Sequence, residues 1–140
     1  MTQATIILAD FAEADSSGKV HILGAGWSVT GPAPSPQAVA VFLKIPAERA
    51  GQPIPITLRL LDQSRNLVEV PGISGPQPLE IMGQIEARSP DTQWDPTHPL
   101  ITTFVINILP MPLAPGGVYT WSCEVDGKEV CSTEFLVRAA

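Results

Sequence analysis

The stretch HILGAGWSVTGPAPSP, His21–Pro36, sets Gly24 and Gly26 after an apolar run, then Trp27, Val29 and Thr30, and then Pro32, Pro34 and Pro36. Two readings compete for the glycines: a phosphate cradle, or a β-strand thinned so that something packs on it. A dinucleotide fingerprint needs a third glycine at a set offset and a helix whose N-terminal amides receive the pyrophosphate. Here strand-type residues follow the second glycine, and Pro32 then stops any element by withholding a backbone donor. The strand reading is the one with a mechanism. Glycine inside a strand marks a bulge or the close approach of another segment, so Gly24 and Gly26 are expected to let an aromatic ring or a neighbouring segment close on the strand. Trp27 is assigned to the core, and Pro32–Pro36 steer the chain toward the next strand or a partner.

The composition points the same way. Fifteen prolines and eleven glycines spread over 140 residues cut the chain into pieces too short for a long helix. The length predicts one domain, 1–140, able to bury roughly 65–70% of its unfolded surface without help from a metal or disulfide. With a net charge of −6 and no Lys/Arg cluster, the chain repels phosphate backbones and anionic lipid, which argues against nucleic acid or a membrane as partner. The start, MTQATIILADFAEAD, has no basic n-region, and its apolar run is too short for a signal core or a membrane span. No signal peptide is read, and a cytoplasmic or virion location is expected.

Period-two alternation between turn signals predicts about eight strands. They are Ala4–Phe11, Lys19–Thr30, Ala38–Ile45, Ile54–Leu61, Leu79–Arg88, Thr102–Leu109, Val118–Val125 and Glu129–Val137, with a short edge piece at Leu67–Val70 and breakers in PGISGPQP. The first two are expected to form a hairpin across EADSSGK. Odd residues Val39 to Ile45 should face the core, as should Leu79, Ile81, Ile85 and Ala87, and Phe104, Ile106 and Ile108. Helix is limited to one turn at PAERAG. The fold class is all-β: a single antiparallel β-sandwich, immunoglobulin-like or jelly-roll-like.

The last hairpin fixes its own register. Bringing Tyr119, Trp121, Cys123 and Val125 onto one face with Cys131, Phe135 and Val137 predicts that Val125 pairs with Glu129 around a three-residue loop, Asp126-Gly127-Lys128. Cys123 and Cys131 then become cross-strand neighbours. They are read as two small buried hydrophobes without a disulfide, since a bridge closing so short a loop stabilises little and a chain without an export signal meets a reducing cytosol.

Chemistry-bearing residues gather in one loop, SPDTQWDPTHP. Asp91, Asp95 and His98 offer a weak set of metal ligands, but their spacing matches no mechanism-bearing motif, and Asp-Pro and His-Pro make turns in their own right. Trp94 is the better contact residue, as an aromatic on an exposed loop. His21 is a lone histidine on a half-buried strand, and Glu80, Glu86 and Arg88 form a charged exterior. No nucleophile elbow or Ser-His-Asp set is present, so no catalytic residue, cofactor or metal is predicted. The candidate interaction residues are Trp94, Asp95, His98, Pro32, Pro34 and Pro36.

The blocks ILGAGWSVTGP and LPMPLAPGGVYTWSCEVDGKE resemble an uncharacterised family of small all-β proteins of actinobacteria and their phages. The resemblance covers most of the chain and implies no enzyme and no catalytic residues. The expected function is a non-enzymatic structural or interaction protein, in its most specific form an accessory virion protein, a head-decoration or tail-associated subunit. Its partners would be capsid or tail subunits, or itself as a homo-oligomer. The alternative is a cytosolic carbohydrate-binding or small-ligand-binding sandwich that uses Trp94, with Trp27 as a second stacking surface. A hydrolase is the least supported class.

Overall fold

The structure, a computed structural model, describes residues 1–88 and 97–140. It is all-β, with twelve strands among the described residues. These are β1 (Gln3–Ala9), β2 (Phe11–Ala14), β3 (Val20–Leu23), β4 (Val29–Thr30), β5 (Gln37–Ile45), β6 (Pro53–Leu61), β7 (Glu69–Gly72), β8 (Gly75–Pro78), β9 (Glu80–Glu86), β10 (Leu100–Ile108), β11 (Val118–Val125) and β12 (Lys128–Val137). A 3-10 turn, Ala47–Arg49, lies where PAERAG predicts it. Among the described residues no helix is long and apolar enough to cross a membrane.

The strands form four sheets, not the one sandwich expected. A three-stranded sheet has the order β1-β5-β10, and a five-stranded sheet the order β4-β12-β11-β6-β9. Two ribbons, β2-β3 and β7-β8, complete the set. The main core draws on one face of each larger sheet: Val39, Val41, Leu43 and Ile45 of β5, and Ile54, Ile56, Leu58, Leu60, Trp121, Cys123 and Phe135 of β6, β11 and β12. Period-two alternation is the cause, because it sends every second side chain inward. The pairing is not wholly antiparallel either, since β4 runs parallel to β12 through Val29 and Thr30 beside Leu136 and Val137.

The predicted first strand breaks at Asp10. β1 pairs with β5, from Gln3 opposite Lys44 to Ala9 opposite Ala38, whereas β2 pairs with β3. The expected hairpin is therefore the β2-β3 part alone. It packs on the outer face of the three-stranded sheet through a small cluster of Ala9, Ala12 and Ala38 with Val20, Ile22 and Val105. The Asn107 side chain holds it there by donating to Ala12 O at 2.7 Å and accepting from Ala12 N at 3.2 Å.

The predicted second strand breaks at its glycines. Gly24 (φ +62°) and Gly26 (φ +90°) take left-handed conformations that no strand can hold. What closes on Gly24 is the Asp10 side chain, since a Cβ there would lie 2.1 Å from Asp10 Oδ2, while Gly26 N donates to Leu8 O at 2.8 Å. Of the two expected partners, an aromatic ring or a neighbouring segment, it is the neighbouring segment that closes here, while Trp27 is half-buried and packs on the core, edge-on to Phe135 at 5.7 Å.

Two further departures have simple causes. PGISGPQP, expected only to break the chain, forms the β7-β8 ribbon with Pro71 opposite Pro76. A two-stranded ribbon has sides that need no donor, so proline is tolerated there. In the last hairpin Val125 pairs with Lys128, not Glu129, around the two-residue turn Asp126-Gly127. Both turn residues have positive φ, 54° and 80°, which is the backbone twist that suits a two-residue hairpin. An irregularity beside Glu124, opposite Val130, absorbs the extra residue, and Cys123 still faces Cys131.

Candidate functional site

Both larger sheets end on the same side in a strand without an outer partner among the described residues: β9 in one and β10 in the other. β9 is held by β6, with Ile85 opposite Ile54, Gly83 opposite Ile56 and Ile81 opposite Leu58. β10 is held by β5, with Phe104 opposite Val41 and Ile106 opposite Val39. Between the two edges lies a cleft of ≈ 270 Å³, floored by Ile56 and Leu58 and walled by Ile81, Ile85, Phe104 and Ile106.

Gly83 keeps this cleft open. It occupies the inward slot between Ile81 and Ile85, and a Cβ there would meet nothing within 4 Å. Across the cleft from this empty slot Phe104 and Ile106 are half-buried and not enclosed. The volume exceeds the roughly 150 Å³ that accepts a benzene-sized guest, so it can take one or two apolar side chains.

Among the described residues no charged side chain lines the cleft. Charge is kept on the far face of the five-stranded sheet. Arg59 donates there to Glu80 at 2.5 Å and pairs with Glu124, and the hydrogen bond to Glu80 holds its guanidinium above the ordinary value. Arg88 pairs with Glu86 at 2.8 Å, in keeping with the charged exterior read from the sequence. A neutral apolar cleft between unpaired sheet edges can offer two things to a ligand: surface to cover, and backbone N–H and C=O groups to pair.

Of the residues singled out from sequence, those that the structure describes do not line this cleft. Trp94, Asp95 and Asp91 lie outside the described residues. His98 is exposed, two residues before β10. Pro32 and Pro34 line a small pocket of ≈ 10 Å³ with Met111, Leu113 and Val137, and Pro36 is exposed just before β5. The register separates them: Ile45 pairs with Leu100 and Gln37 with Ile108. His98 and Pro36 thus lie beyond opposite ends of β5, ends that are themselves roughly 26 Å apart at about 3.3 Å per residue. His21 is exposed on β3 and pairs with Asp15 at 2.8 Å, and the hydrogen bonds from Ser17 and His21 hold that carboxyl far below the usual range. Among the described residues no cluster of three or more His, Cys, Asp or Glu could hold a metal.

Sequence reasoning missed the cleft because its two walls, although consecutive strands, belong to different sheets, a choice made by their distant partners β6 and β5. One local signal was present. In the run Leu79, Ile81, Gly83, Ile85, Ala87, one inward slot carries no side chain.

A family model matches residues 4–138, nearly the whole chain, and its description is "Family of unknown function (DUF6941)". The search of curated proteins returned no match.

Proposed function

The chain belongs to this family of unknown function, DUF6941, and we propose that it is a non-enzymatic interaction module whose two larger sheets act as a β-sandwich and dock an extended apolar segment of a protein partner between β9 and β10. The observation that carries this is the neutral cleft flanked by two unpaired strand edges. An extended segment satisfies both features at once, since its backbone pairs with an edge and its alternate side chains enter the cleft. In its specific form the partner is a capsid or tail subunit of an actinobacterial phage, and the chain is an accessory virion protein. The resemblance of the ILGAGWSVTGP block supports that form.

Gradient-purified particles should contain the chain at a fixed ratio to the major subunit. Gly83→Ala should be retained, whereas Gly83→Leu, which fills the cleft, should be lost from particles while keeping the wild-type circular dichroism and melting midpoint. Absence of the wild-type chain from particles would sink the virion form. Binding of Gly83→Leu at the wild-type level would sink the cleft. Self-association abolished by Gly83→Leu would reassign the cleft to a second copy of the chain. Sugar-dependent fluorescence quenching abolished by Trp94→Ala would favour the carbohydrate-binding reading instead.

A further inference from the structure

Cys123 and Cys131 face each other across the β11-β12 pair, and both are free thiols. We propose that they form a reversible dithiol–disulfide site, oxidised by a small-molecule disulfide of the glutathione type. Directly opposed residues in an antiparallel pair have Cα atoms about 4.5–5.5 Å apart, inside the roughly 4.4–6.8 Å that a disulfide spans. Little backbone movement is needed to close the bond.

The two thiols differ in access. Cys123 is fully buried, but Cys131 is half-buried, which corrects the expectation of two buried hydrophobes. Among the described residues β12 also has no hydrogen-bonded outer strand at this level, because β4 reaches only Leu136 and Val137. The irregularity at Val130, adjacent to Cys131, interrupts the ladder beside that side chain. The neighbouring Cys123 thiol holds the Cys131 thiol below its ordinary value, against burial and the Glu129 charge, while Cys131 and burial push Cys123 up.

The order of events follows. Cys131 loses its proton to solvent, and its thiolate attacks one sulfur of the small disulfide, forming a mixed disulfide and releasing one thiolate, which takes up a proton. The Cys123 sulfur then attacks Cys131 Sγ, giving up its proton and expelling the second small thiol. In sum the protein loses two electrons and two protons, and the small disulfide is reduced to two thiols.

Intact mass spectrometry after incubation of the folded chain with oxidised glutathione, followed by thiol alkylation, tests this. The wild type should lose both alkylatable thiols without a retained adduct and without forming dimers, and a dithiol reductant should restore them. Cys123→Ser should stop at one glutathione per chain, and Cys131→Ser should stay unmodified over the same time. Cys131→Ala repeats the last arm in case serine at that position disturbs folding, with circular dichroism as the check. Wild-type chains that keep both thiols, that accumulate the mixed adduct, or that cross-link to one another would overturn the proposal.

Discussion

Trp121 Nε1 donates to Gln37 Oε1 at 3.0 Å inside the protein, with the indole fully buried and the amide 4% exposed. The bond ties β11 of the five-stranded sheet to the start of β5 in the three-stranded one. Removing the acceptor leaves a buried donor unpaired, which costs about 1–3 kcal/mol. Gln37→Leu should therefore lower the urea unfolding free energy by about that amount, and Trp121→Phe should do much less harm in the Gln37→Leu background than alone. Trp27 supplies the control, because its buried Nε1 has no partner among the described residues. Trp27→Phe keeps a ring to face Phe135 and should cost less than Trp121→Phe. Equal losses would show that indole volume, and not the hydrogen bond, sets the penalty.

Gly24 and Gly26 both have positive φ, but only Gly24 is crowded, by the Asp10 side chain at 2.1 Å from the missing Cβ. Gly26→Ala should cost only backbone strain, about 1–3 kcal/mol. Gly24→Ala should cost more, and Asp10→Ala should return part of the difference, because Asp10 Cβ would remain 3.2 Å away. A double-mutant cycle on thermal unfolding reads this coupling. Additive effects would mean that Asp10 simply swings aside.

Glu124 and Glu129 are directly opposed across β11 and β12, and each has its own arginine: Arg59 for the first, Arg65 for the second. The buried Ser122 hydroxyl also donates to Glu129 at 2.5 Å. The Ser122 hydrogen bond, and after it the one from Arg65, hold the Glu129 carboxyl below its ordinary value of 4.5. A carboxyl depressed by folding contributes stability that is complete above its unfolded value and is lost as the pH falls through its folded value. Glu129→Gln should thus be less stable than wild type by a constant margin at neutral pH, and the margin should shrink below about pH 4.5. Denaturation midpoints measured from pH 7 to pH 3 check it, and a margin independent of pH would refute it.

How far the chain could be read beforehand depended on how far each signal reaches. Alternation in Ala38–Ile45 named the inward residues of β5 correctly, because a strand's two faces are written in neighbouring residues. The strand-forming run from Ala4 to Phe11 holds no glycine or proline to mark the change of sheet at Asp10, because pairing partners are chosen by distant residues. Gly24 and Gly26 marked a break, but the sequence could not reveal that a carboxylate closes on it. In the last hairpin, parity alone demanded a three-residue loop. A bulge at Val130 met the same demand with the tighter turn that Asp126-Gly127 prefers. The cleft rests on β9 and β10 reaching the same side of the core, which no local pattern encodes.

The β2-β3 ribbon joins the rest of the molecule mainly through alanines, a few β-branched side chains, the Asn107 amide on Ala12 and a long contact from Thr103 Oγ1 to Gly18 O at 3.4 Å. Few apolar contacts and small side chains make a unit that opens at lower cost than the core beneath it. The molecule accordingly has two levels of cooperativity. The ribbon can lift from Ala38 and Val105 while the two larger sheets stay closed, so native-state hydrogen exchange should release the amides of Ala12 and Ile22 well before those of Val39 and Val41. An event of that kind would present a second smooth, small-residue surface on the opposite face of β5 from the core, visited only transiently and leaving the cleft untouched.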